Sequence, residues 1–357
     1  MSFPPTTTPH APARQPDTWP ALLVTGGCGF IGSRFVERWR AAHPAQPVVV
    51  LDSLTYAGRP ENLAGLWGPA LHLEVASITD ADAVRRVCDQ YGVGGIVNFA
   101  AQTHVDQSIL GSLEFTHTNV LGTHTLLEVA RERGIHLHQV STDEVYGDVP
   151  APHHSLETDP LTPRSPYAAS KAAADHLVLA YHQTHGSSVT VTRAANNVGP
   201  RQHLEKALAL FATNALLGLP LPLYGDGLQQ RDYMHVDDHC AAIELVLRGG
   251  ASGGVFNVGT GLELSNRRMA QLVTQALGLP DAPVRHVSDR PGHDRRYSLN
   301  TDRVQALGWA PDFTPEQAVL SAARWYAANR AWWEPIRRSE AFAAYYERQY
   351  AARLGAS

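Results

Sequence analysis

Short apolar runs alternate with amphipathic segments along the first half of the chain. Four runs that end in glycine or polar residues predict buried strands: "ALLVTGG", "PVVVLD", "GGIVNFAA" and "IHLHQVST". Helical periodicity is found between them in "SRFVERWRAA", "ADAVRRVCDQYG" and "NVLGTHTLLEVARERG". This alternation predicts an α/β fold with a doubly wound parallel sheet of the Rossmann type.

The pattern changes after Gly199, where turn-rich pieces such as "GLPLPLYGDGLQQRD" and "DRPGHDRRYS" separate shorter helices. We therefore predict a first domain over residues 20–199. A smaller, mixed α/β substrate domain is predicted over 200–335, with some segments returning to the first domain. Residues 336–357 are predicted to form a helical extension, and the proline-rich residues 1–19 a disordered tail.

Composition narrows the class of function. The net charge of −5 comes without a block of Lys or Arg, so the sequence indicates neither a nucleic-acid nor a membrane partner and favours a small molecule. Three scattered cysteines fit neither a disulfide framework nor a zinc cluster and indicate a reducing cytoplasm. No apolar run is as long as a membrane span, and the first residues lack the apolar core of a signal peptide.

A glycine-rich turn follows the first predicted strand. Gly26, Gly29 and Gly32 allow a tight turn and let the backbone approach a pyrophosphate at the N-terminus of the next helix. Asp52 ends the second strand, where a carboxylate accepts hydrogen bonds from a ribose diol and repels a 2′-phosphate. The alternative is a turn that only packs a helix on a strand. With strand, helix and acid in register, the pattern favours NAD over NADP.

Tyr167 and Lys171 in "SPYAASKAAADHLV" are four residues apart at the start of a predicted helix, so they project from one face. A lysine beside the tyrosine and cofactor would lower the phenol pKa, so that Tyr167 takes a proton from a substrate hydroxyl while hydride leaves the same carbon. The alternative is a surface tyrosine and a solvated lysine. The dinucleotide motif and the hydroxyls of Ser141 and Thr142 at a strand end favour an oxidoreductase site.

Two adjacent acids, Asp143 and Glu144, follow Thr142 in "STDEVYG". The strand before them ends at the carboxyl edge of the predicted sheet, where ligands bind in open α/β folds. An isolated pair of this kind is usually an acidic loop that faces water. Beside a nicotinamide site it predicts proton transfers at atoms next to the carbon that is oxidised.

Together these motifs resemble those of the nucleotide-diphosphate-glucose 4,6-dehydratases, a branch of the extended short-chain dehydrogenase/reductase family. The resemblance covers nearly everything after the tail. It is carried by "TGGCGFIGS", "DSLTYAG", "AAQTHVDQSI", "TNVLGTHTLLE", "STDEVYG", "SPYAASKAAADHLV", "NNVGP", "LPLYGDG", "RDYMHVDDH", "RPGHDRRY" and "WYAANRAWWEP". The most specific of these are "STDEVYG" and "RPGHDRRY".

The resemblance implies a hydro-lyase that uses NAD on a nucleotide sugar, with dTDP-glucose favoured. Such an enzyme oxidises C4, eliminates water across C5 and C6 and returns the hydride to C6, which leaves a 4-keto-6-deoxy sugar. It implies that Tyr167, helped by Lys171 and Thr142, removes the C4 hydroxyl proton. Glu144 would then remove the C5 proton, and Asp143 would protonate the departing C6 hydroxyl.

Different functions on the same fold stay open. A 4,6-dehydratase of the same type could act on a different nucleotide sugar such as UDP-glucose. A 4-epimerase or decarboxylase would share the glycine loop, Asp52, Tyr167 and Lys171 but has no use for an acid pair after Thr142. A non-catalytic sensor or scaffold would typically have lost the tyrosine or the lysine.

The resemblance also implies two sets of binding residues. Toward NAD it implies Gly26, Gly29, Phe30, Ile31, Gly32, Asp52, Ser53, Thr55, Ser77, Ile78, Ala100, Ala101, Thr118, Tyr167, Lys171 and Asn197. Toward the nucleotide sugar it implies Thr103, Thr142, Asn196, Glu205, Lys206, Pro222, Tyr224, Arg231, Asn266, Arg290, His293 and Tyr297.

Several of these positions have simpler interpretations. Arg231 suits a diphosphate as a permanent planar cation, but a surface ion pair is the alternative. Asn266 could be a helix cap, and His293 could sit in a salt-linked loop. The adjacent His153 and His154 lack a third ligand of suitable spacing, so no metal is predicted.

The chain departs from the family pattern at a few places. Ser77 stands before Ile78 where the family commonly has an aspartate, which weakens the expected contact with adenine. Val198 replaces the usual tyrosine in "NNVGP", and "LEKALA" from Leu204 to Ala209 lacks the usual prolines. We expect these changes to loosen discrimination between dTDP and UDP sugars. Gln102 in place of a frequent glutamate also leaves the nucleotide base open.

A homodimer is expected by family analogy. Its interface would be formed by the helices of "NVLGTHTLLEVARERG" and "YAASKAAADHLVLAYHQT", which would pack as a four-helix contact between two copies.

Overall fold

The structure is a computed structural model that describes residues 16–351. Its strands, β1 to β13 in chain order, are Ala21–Thr25, Val48–Asp52, Leu71–Val75, Val93–Asn98, His136–Thr142, Val189–Ala194, Asn196–Val198, Leu221–Tyr224, Gln230–Arg231, Tyr233–His235, Gly254–Val258, Leu264–Ser265 and Val284–Val287. Its helices, α1 to α13, are Phe30–Ala42, Ala81–Tyr91, Val105–Leu110, Leu113–Phe115, Gly122–Arg133, Pro166–His185, Ala207–Leu216, Val236–Gly249, Asn266–Ala276, Asp302–Gln305, Pro315–Ala328, Arg330–Arg338 and Glu340–Tyr346. Single 3₁₀ turns occur at Pro16–Thr18, Pro60–Leu63 and Asp143–Tyr146, and π-helical segments at Thr116–Leu121 and Glu347–Ala351.

Seven strands form the central sheet in the order β11-β6-β5-β4-β1-β2-β3, and all of their pairings are parallel. Strands β1 and β2 are buried along their whole length because helices cover both faces of the sheet. The strand order reverses beside β1, which pairs with β2 on one side and β4 on the other. The predicted doubly wound fold is confirmed, and its carboxyl edge at this reversal is the expected place for a ligand.

The four strands predicted in the first half are all present, and two more lie beside them. Strand β3 is an edge strand with a half-exposed "LHLEV" pattern. Strand β6, "VTVTRA", alternates valine with threonine and is nevertheless fully buried. Its hydroxyls are satisfied inside the sheet, since the ring nitrogens of His138 lie 2.9 Å from Thr190 Oγ1 and 3.1 Å from Thr192 Oγ1. Polar positions of this kind hide a buried strand from a hydrophobicity pattern.

The second half of the chain contributes to both parts of the molecule. Strand β11 extends the central sheet beyond β6, and α8 packs against α1 with an Arg38–Glu244 ion pair of 3.0 Å. The remaining segments form two-stranded sheets, β7–β10, β9–β12 and β8–β13, beside helices α7, α9 and α11. A separate apolar cluster lies between these helices, which supports the smaller mixed α/β unit. The predicted division at residues 199 and 335 stays a prediction.

The start of the described chain corrects one expectation. Most of the predicted tail, residues 1–15, lies outside the described residues, but Pro16–Thr18 form a 3₁₀ turn and Trp19 is buried. The Trp19 ring covers Gly95 so closely that a Cβ at that glycine would lie 2.3 Å from it. The boundary of the tail at residue 19 was therefore placed too late, because the tryptophan contact is made with a distant strand.

The last described residues pack onto the smaller unit. Ile336, Phe342, Tyr345 and Tyr350 belong to its apolar cluster, so the predicted extension is packed onto this unit as far as Tyr350. Among the helices of residues 16–351, none combines the length and apolar character that crossing a membrane requires.

Candidate active site

The glycine-rich turn lies between β1 and α1 and is shaped by close backbone contacts. Gly26 has a φ of +65°, and a Cβ there would lie 2.7 Å from the backbone nitrogen of Ala100. A Cβ at Gly32 would lie 2.4 Å from the carbonyl oxygen of Gly26. Helix α1 begins after Gly29 with no side-chain cap, and Phe30 and Ile31 form its first turn. The N-terminus of this helix is therefore suited to a pyrophosphate.

Asp52 is held rigidly beside this turn at the end of β2. Its carboxylate accepts hydrogen bonds from the backbone nitrogens of Cys28 at 3.0 Å and Leu54 at 2.9 Å. Burial raises the pKa of Asp52, and these two hydrogen bonds oppose the rise. Ser53 and Thr55 follow on the exposed side of the strand end. The acid has the position that a ribose diol requires.

Ser77 and Ile78 lie just beyond β3, at the same edge of the sheet. Ser77 Oγ accepts from the backbone nitrogen of Thr79 at 3.2 Å and lies 2.8 Å from Thr79 Oγ1. The Ile78 side chain is buried in the core, where a Cβ at Gly122 would lie 2.4 Å from its Cδ1. Their expected contact with adenine stays a prediction, and little of the Ile78 side chain is accessible for it.

The loop after β4 carries Ala100 and Ala101 to the switch point of the sheet. It is fixed by Asn119, whose Oδ1 accepts from the Gln102 nitrogen at 2.8 Å and whose Nδ2 donates to Ser170 Oγ at 2.9 Å. Thr118 precedes this asparagine and is half-buried. Asn119 itself was not predicted, although "TNVLGTHTLLE" contains it. It connects the cofactor edge to α6.

Asn197 lies on the opposite side of the switch point, in β7. Its side chain donates to the Ala195 carbonyl at 3.0 Å and lies 3.1 Å from His239 Nδ1.

Helix α6 presents Tyr167 and Lys171 one turn apart. Ser165 caps the helix by accepting from the Ala168 nitrogen at 3.1 Å, which fixes the first turn. Lys171 Nζ donates to the Val140 carbonyl at 2.7 Å. Burial lowers the pKa of Lys171 to about 8. The lysine is thus attached to β5, the strand that leads to the acid pair.

The expected lowering of the Tyr167 pKa involves the cofactor as well as Lys171 and stays a prediction. Burial raises the pKa of Tyr167 well above its usual value, and the charge of Glu144 adds to the rise, while a hydrogen bond with Thr142 opposes it. Lys171 Nζ donates to the neutral Val140 carbonyl, which leaves the positive charge of its ammonium in place. Deprotonation of Tyr167 therefore needs positive charge nearby to oppose burial and the charge of Glu144.

The acid pair lies in a 3₁₀ turn that continues directly from β5. Thr142 Oγ1 donates to Asp143 Oδ1 at 3.1 Å and accepts from the Glu144 nitrogen at 3.3 Å. Burial, followed by the charge of Glu144, raises the pKa of Asp143 to about 8. Burial also raises the pKa of Glu144, but Arg290 and Arg231 act against the rise. These shifts favour Asp143 over Glu144 as the member of the pair that holds a proton.

One cavity opens beside Glu144 and gathers most of the residues predicted for the nucleotide sugar. Ten of the twelve line it: Asn196, Glu205, Lys206, Pro222, Tyr224, Arg231, Asn266, Arg290, His293 and Tyr297. The remaining two contact residues at its edge, since Thr142 Oγ1 accepts from the nitrogen of Glu144 and the Thr103 carbonyl accepts from Lys206 Nζ at 2.6 Å. The structure brings the set together, and its role in binding stays a prediction.

Arg231 is not the surface ion pair considered as its alternative. Its guanidinium is buried and donates to the carbonyls of Gln230 at 2.7 Å and Asp294 at 2.9 Å. It stacks 4.0 Å from the centre of the Tyr297 ring. An arginine held by neutral carbonyls keeps its positive charge available to an anion.

The simpler interpretations of Asn266 and His293 have different outcomes. Ser265, not Asn266, caps α9, and Asn266 Oδ1 accepts from the Tyr233 hydroxyl at 2.6 Å. His293 does lie in a salt-linked loop, with Nδ1 2.6 Å from Asp289 Oδ1, but it also lines the cavity. Burial lowers the pKa of His293 to about 4, so it is neutral at pH 7.

The two adjacent histidines lie in an exposed loop and have separate partners. His153 pairs with Asp159 at 2.6 Å, and His154 lies 2.7 Å from Ser298 Oγ. Within residues 16–351, no cluster of three or more His, Cys, Asp or Glu side chains has a geometry that could hold a metal ion.

Val198 and the segment from Leu204 to Ala209, which depart from the family pattern, are well packed although the usual prolines are missing. Val198 is buried in the apolar cluster of the smaller unit and also lines the cavity. Leu204 is fully buried, and helix α7 begins after Lys206. The effect of these changes on the choice of nucleotide stays a prediction.

Further residues that line the cavity were missed, among them His104, Asp106, Gln202, Tyr233 and Tyr350. The motif "AAQTHVDQSI" contained two of them and was a usable signal. Tyr350 had none, because it comes from the helical extension and reaches the cavity only through the fold.

Comparison with known proteins finds similar chains. A family model described as the NAD dependent epimerase/dehydratase family matches residues 22–259. The dTDP-glucose 4,6-dehydratase of Streptomyces niveus is 46% identical over 323 residues, which cover 88% of this chain and 95% of the relative. DesIV, a dTDP-glucose 4,6-dehydratase from Streptomyces venezuelae crystallised with NAD, has a TM-score of 0.85 at 49% identity and covers 88% of this chain and 99% of its own. The UDP-glucose 4-epimerase of Thermus thermophilus, in complex with NAD, has a TM-score of 0.80 at 33% identity. The match covers 87% of this chain and 99% of the epimerase.

Proposed function

This chain belongs to the NAD dependent epimerase/dehydratase family, and from that membership we propose that it dehydrates dTDP-glucose to the 4-keto-6-deoxy sugar. Curated relatives named dTDP-glucose 4,6-dehydratase and the NAD-bound DesIV structure support this reaction and its cofactor. The observation that carries the proposal is the acid pair. Asp143 and Glu144 are buried beside Thr142, at the same edge as Tyr167 and Lys171.

The cofactor is NAD, and the glycine turn, the start of α1 and Asp52 fit it. The turn leaves no room for a Cβ at Gly26 or Gly32, and α1 has no side-chain cap that would occupy its first nitrogens. When bound, NAD would supply the hydride acceptor for C4 of the sugar and, in reduced form, the hydride donor for C6. We propose that Asp52 selects NAD, since its carboxylate would repel a 2′-phosphate.

Tyr167 is proposed to remove the proton from the C4 hydroxyl. Its phenol in α6 and the Thr142 hydroxyl at the end of β5 are both buried, and Thr142 acts to lower the pKa of Tyr167. The raised pKa of Tyr167 keeps it protonated in the protein alone, so a positively charged group beside it is needed for the phenolate to form. Lys171, fixed on the Val140 carbonyl, holds a second positive charge in the same region.

Glu144 and Asp143 are proposed to perform the elimination. Glu144 lines the cavity and removes the C5 proton, which the C4 ketone has made acidic. Asp143, with a pKa near 8, is protonated at pH 7 and donates to the leaving C6 hydroxyl. Two buried acids with different environments thus divide the roles of base and acid.

The nucleotide diphosphate is proposed to occupy the cavity. Arg231 and Arg290 supply two positive charges, and the rest of the predicted set surrounds them. The alternative of a 4-epimerase has the support of the Thermus thermophilus neighbour, which shares the fold at 33% identity. It gives no role to an acid pair, so the fate of C6 discriminates between the two reactions.

We also propose a homodimer and a cytoplasmic location. Leu110 and Leu113 are 73% and 78% exposed, and Leu121 is 47% exposed, beside the helices predicted for the interface. An apolar surface of this kind is stabilised by a second copy. The described cysteines are all free and buried, which fits a reducing compartment.

A substrate panel tests the reaction. The purified protein is incubated with dTDP-glucose, UDP-glucose, GDP-mannose and CDP-glucose, and each product is analysed by mass spectrometry. We expect loss of water from dTDP-glucose. Substrate deuterated at C4 should yield product with deuterium at C6 and solvent hydrogen only at C5. Water loss from none of the four, or an unchanged mass with inversion at C4, would refute the proposal.

A further inference from the structure

Four distant segments of the chain meet at the carboxylate of Asp106, which is in α3. Arg290 Nη1 donates to Asp106 Oδ1 at 3.1 Å, and the Tyr224 hydroxyl donates to Oδ2 at 2.9 Å. Gln349 Nε2, from the C-terminal π-helical segment, lies 2.6 Å from the same Oδ2 and 2.6 Å from the Tyr224 hydroxyl oxygen. Two of these partners, Tyr224 and Arg290, line the cavity proposed for the nucleotide sugar.

The Asp106 carboxylate is buried and charged. Burial acts to raise the pKa of Asp106, but the charge of Arg290 and the hydrogen bond from Tyr224 act against burial. The net result is a pKa below the usual value. A buried carboxylate is costly unless hydrogen-bond donors satisfy it. When one donor is removed, the side chains that bind the carboxylate shift to compensate. Gln349 is itself only 6% exposed, so water does not easily replace its amide.

The segment that delivers Gln349 is firmly anchored. Ser339 caps α13 by accepting from the Phe342 nitrogen at 3.2 Å, and Phe342 is buried in the apolar cluster. The Tyr345 hydroxyl lies 2.9 Å from His104 Nε2, and Tyr350 lines the cavity. The segment Glu340–Ala351 therefore forms a wall of the site and is not a loose terminus.

Arg290 connects this network to the chemistry. It is the largest charge that acts against the raised pKa of Glu144, the proposed base. Its position therefore affects both the diphosphate and the elimination step.

We propose that Gln349 is a positioning residue that acts through Asp106 to hold Arg290 and Tyr224 in the geometry that receives the nucleotide diphosphate. The C-terminal segment Glu340–Ala351 thereby sets the affinity for the substrate. This inference rests on the proposed function, since it takes the cavity to be the nucleotide-sugar site.

The test uses the full-length, NAD-loaded protein and dTDP as the probe. Gln349→Met keeps an unbranched side chain of similar length but cannot donate, and Gln349→Leu is a second variant without a donor. Glu347→Ala, two residues earlier on the exposed side of the same segment, is the matched control. Calorimetric titration should show dTDP bound about tenfold more weakly by the Gln349 variants, the typical loss of one hydrogen bond to a charged group. The KM for dTDP-glucose should rise to a similar extent, and kcat should fall by less than that, since Arg290 is only one of the charges that act on Glu144.

A double-mutant cycle separates positioning from a general structural role. If Gln349 acts through Asp106, the double variant Asp106→Asn/Gln349→Met should bind dTDP no more weakly than Asp106→Asn alone. Additive losses, or Gln349 variants that bind dTDP as well as Glu347→Ala, would overturn the inference. A wild-type protein that binds neither dTDP nor UDP would overturn the proposed function and this inference with it.

Discussion

Replacing Asp143 with asparagine should make the protein slower but more stable. The side chain is 2% exposed, and burial with the nearby Glu144 charge raises its pKa from 3.8 to about 8. Asparagine keeps the shape, and its Oδ1 can still accept the Thr142 hydroxyl that lies 3.1 Å from Asp143 Oδ1. It removes the transferable proton and also the cost of placing a carboxyl group in this environment.

The size of the stability gain follows from the size of the Asp143 pKa shift, and its pH dependence follows from the direction of that shift. Because the pKa of Asp143 is higher in the folded than in the unfolded protein, the stability it contributes is complete below pH 3.8 and is lost as pH rises toward 8. Each pH unit in this window costs about 1.4 kcal/mol. At pH 7 the free energy of unfolding of the wild type is therefore lower by up to about 4 kcal/mol, and Asp143→Asn does not have this loss. The difference should be close to zero near pH 4 and largest above pH 8.

The rate of water elimination should fall in Asp143→Asn, although the stability of the protein rises. Loss of one positioned proton donor slows a reaction by about a hundred- to ten-thousandfold. Wild-type water loss should fall about tenfold between pH 7 and pH 9, as a donor with a pKa near 8 is deprotonated, and Asp143→Asn should lack this fall.

Two assays check these expectations. Differential scanning calorimetry at pH 5, 7 and 9 with saturating NAD measures stability, and rapid quenching with dTDP-glucose measures single-turnover water loss. The control is Asp82→Asn, because the Asp82 side chain is 97% exposed. A variant that melts no higher than the wild type at pH 9, or that dehydrates its substrate at the wild-type rate, would refute the reasoning.

Two further predictions concern the cofactor and the base. Asp52→Ala should narrow the difference in affinity between NAD and NADP in fluorescence titrations, and an unchanged preference would place the ribose elsewhere. Glu144→Gln should still permit C4 oxidation but block removal of the C5 proton, so enzyme-bound NADH should accumulate in stopped-flow absorbance, whereas Tyr167→Phe should give little NADH. Normal turnover by Glu144→Gln would contradict its assignment as the base.

Much of the fold and of the active site could be predicted from residues that are close together in sequence. The runs "ALLVTGG" and "PVVVLD" predicted buried strands, which the structure shows. The glycine spacing predicted a tight turn, and a Cβ at Gly26 or Gly32 would indeed clash with backbone atoms. A four-residue spacing places Tyr167 and Lys171 on one face of any helix. The acids that follow Thr142 had to lie at the carboxyl edge, because β5 ends there. Each of these features depends on residues close together in sequence.

Contacts between distant segments were decided only by the tertiary structure. Burial and the charge of Glu144 raise the pKa of Tyr167, and Lys171 is attached to the Val140 carbonyl on a different strand. Trp19 is ordered by Gly95, and Gln349 reaches Asp106 from the far end of the chain. Periodicity predicts which face of a segment is apolar, but it contains no information on which distant segment will cover that face. Burial and charge at the active site depend on those pairings, so the sequence determined the chemical groups and the fold determined their pKa values and partners.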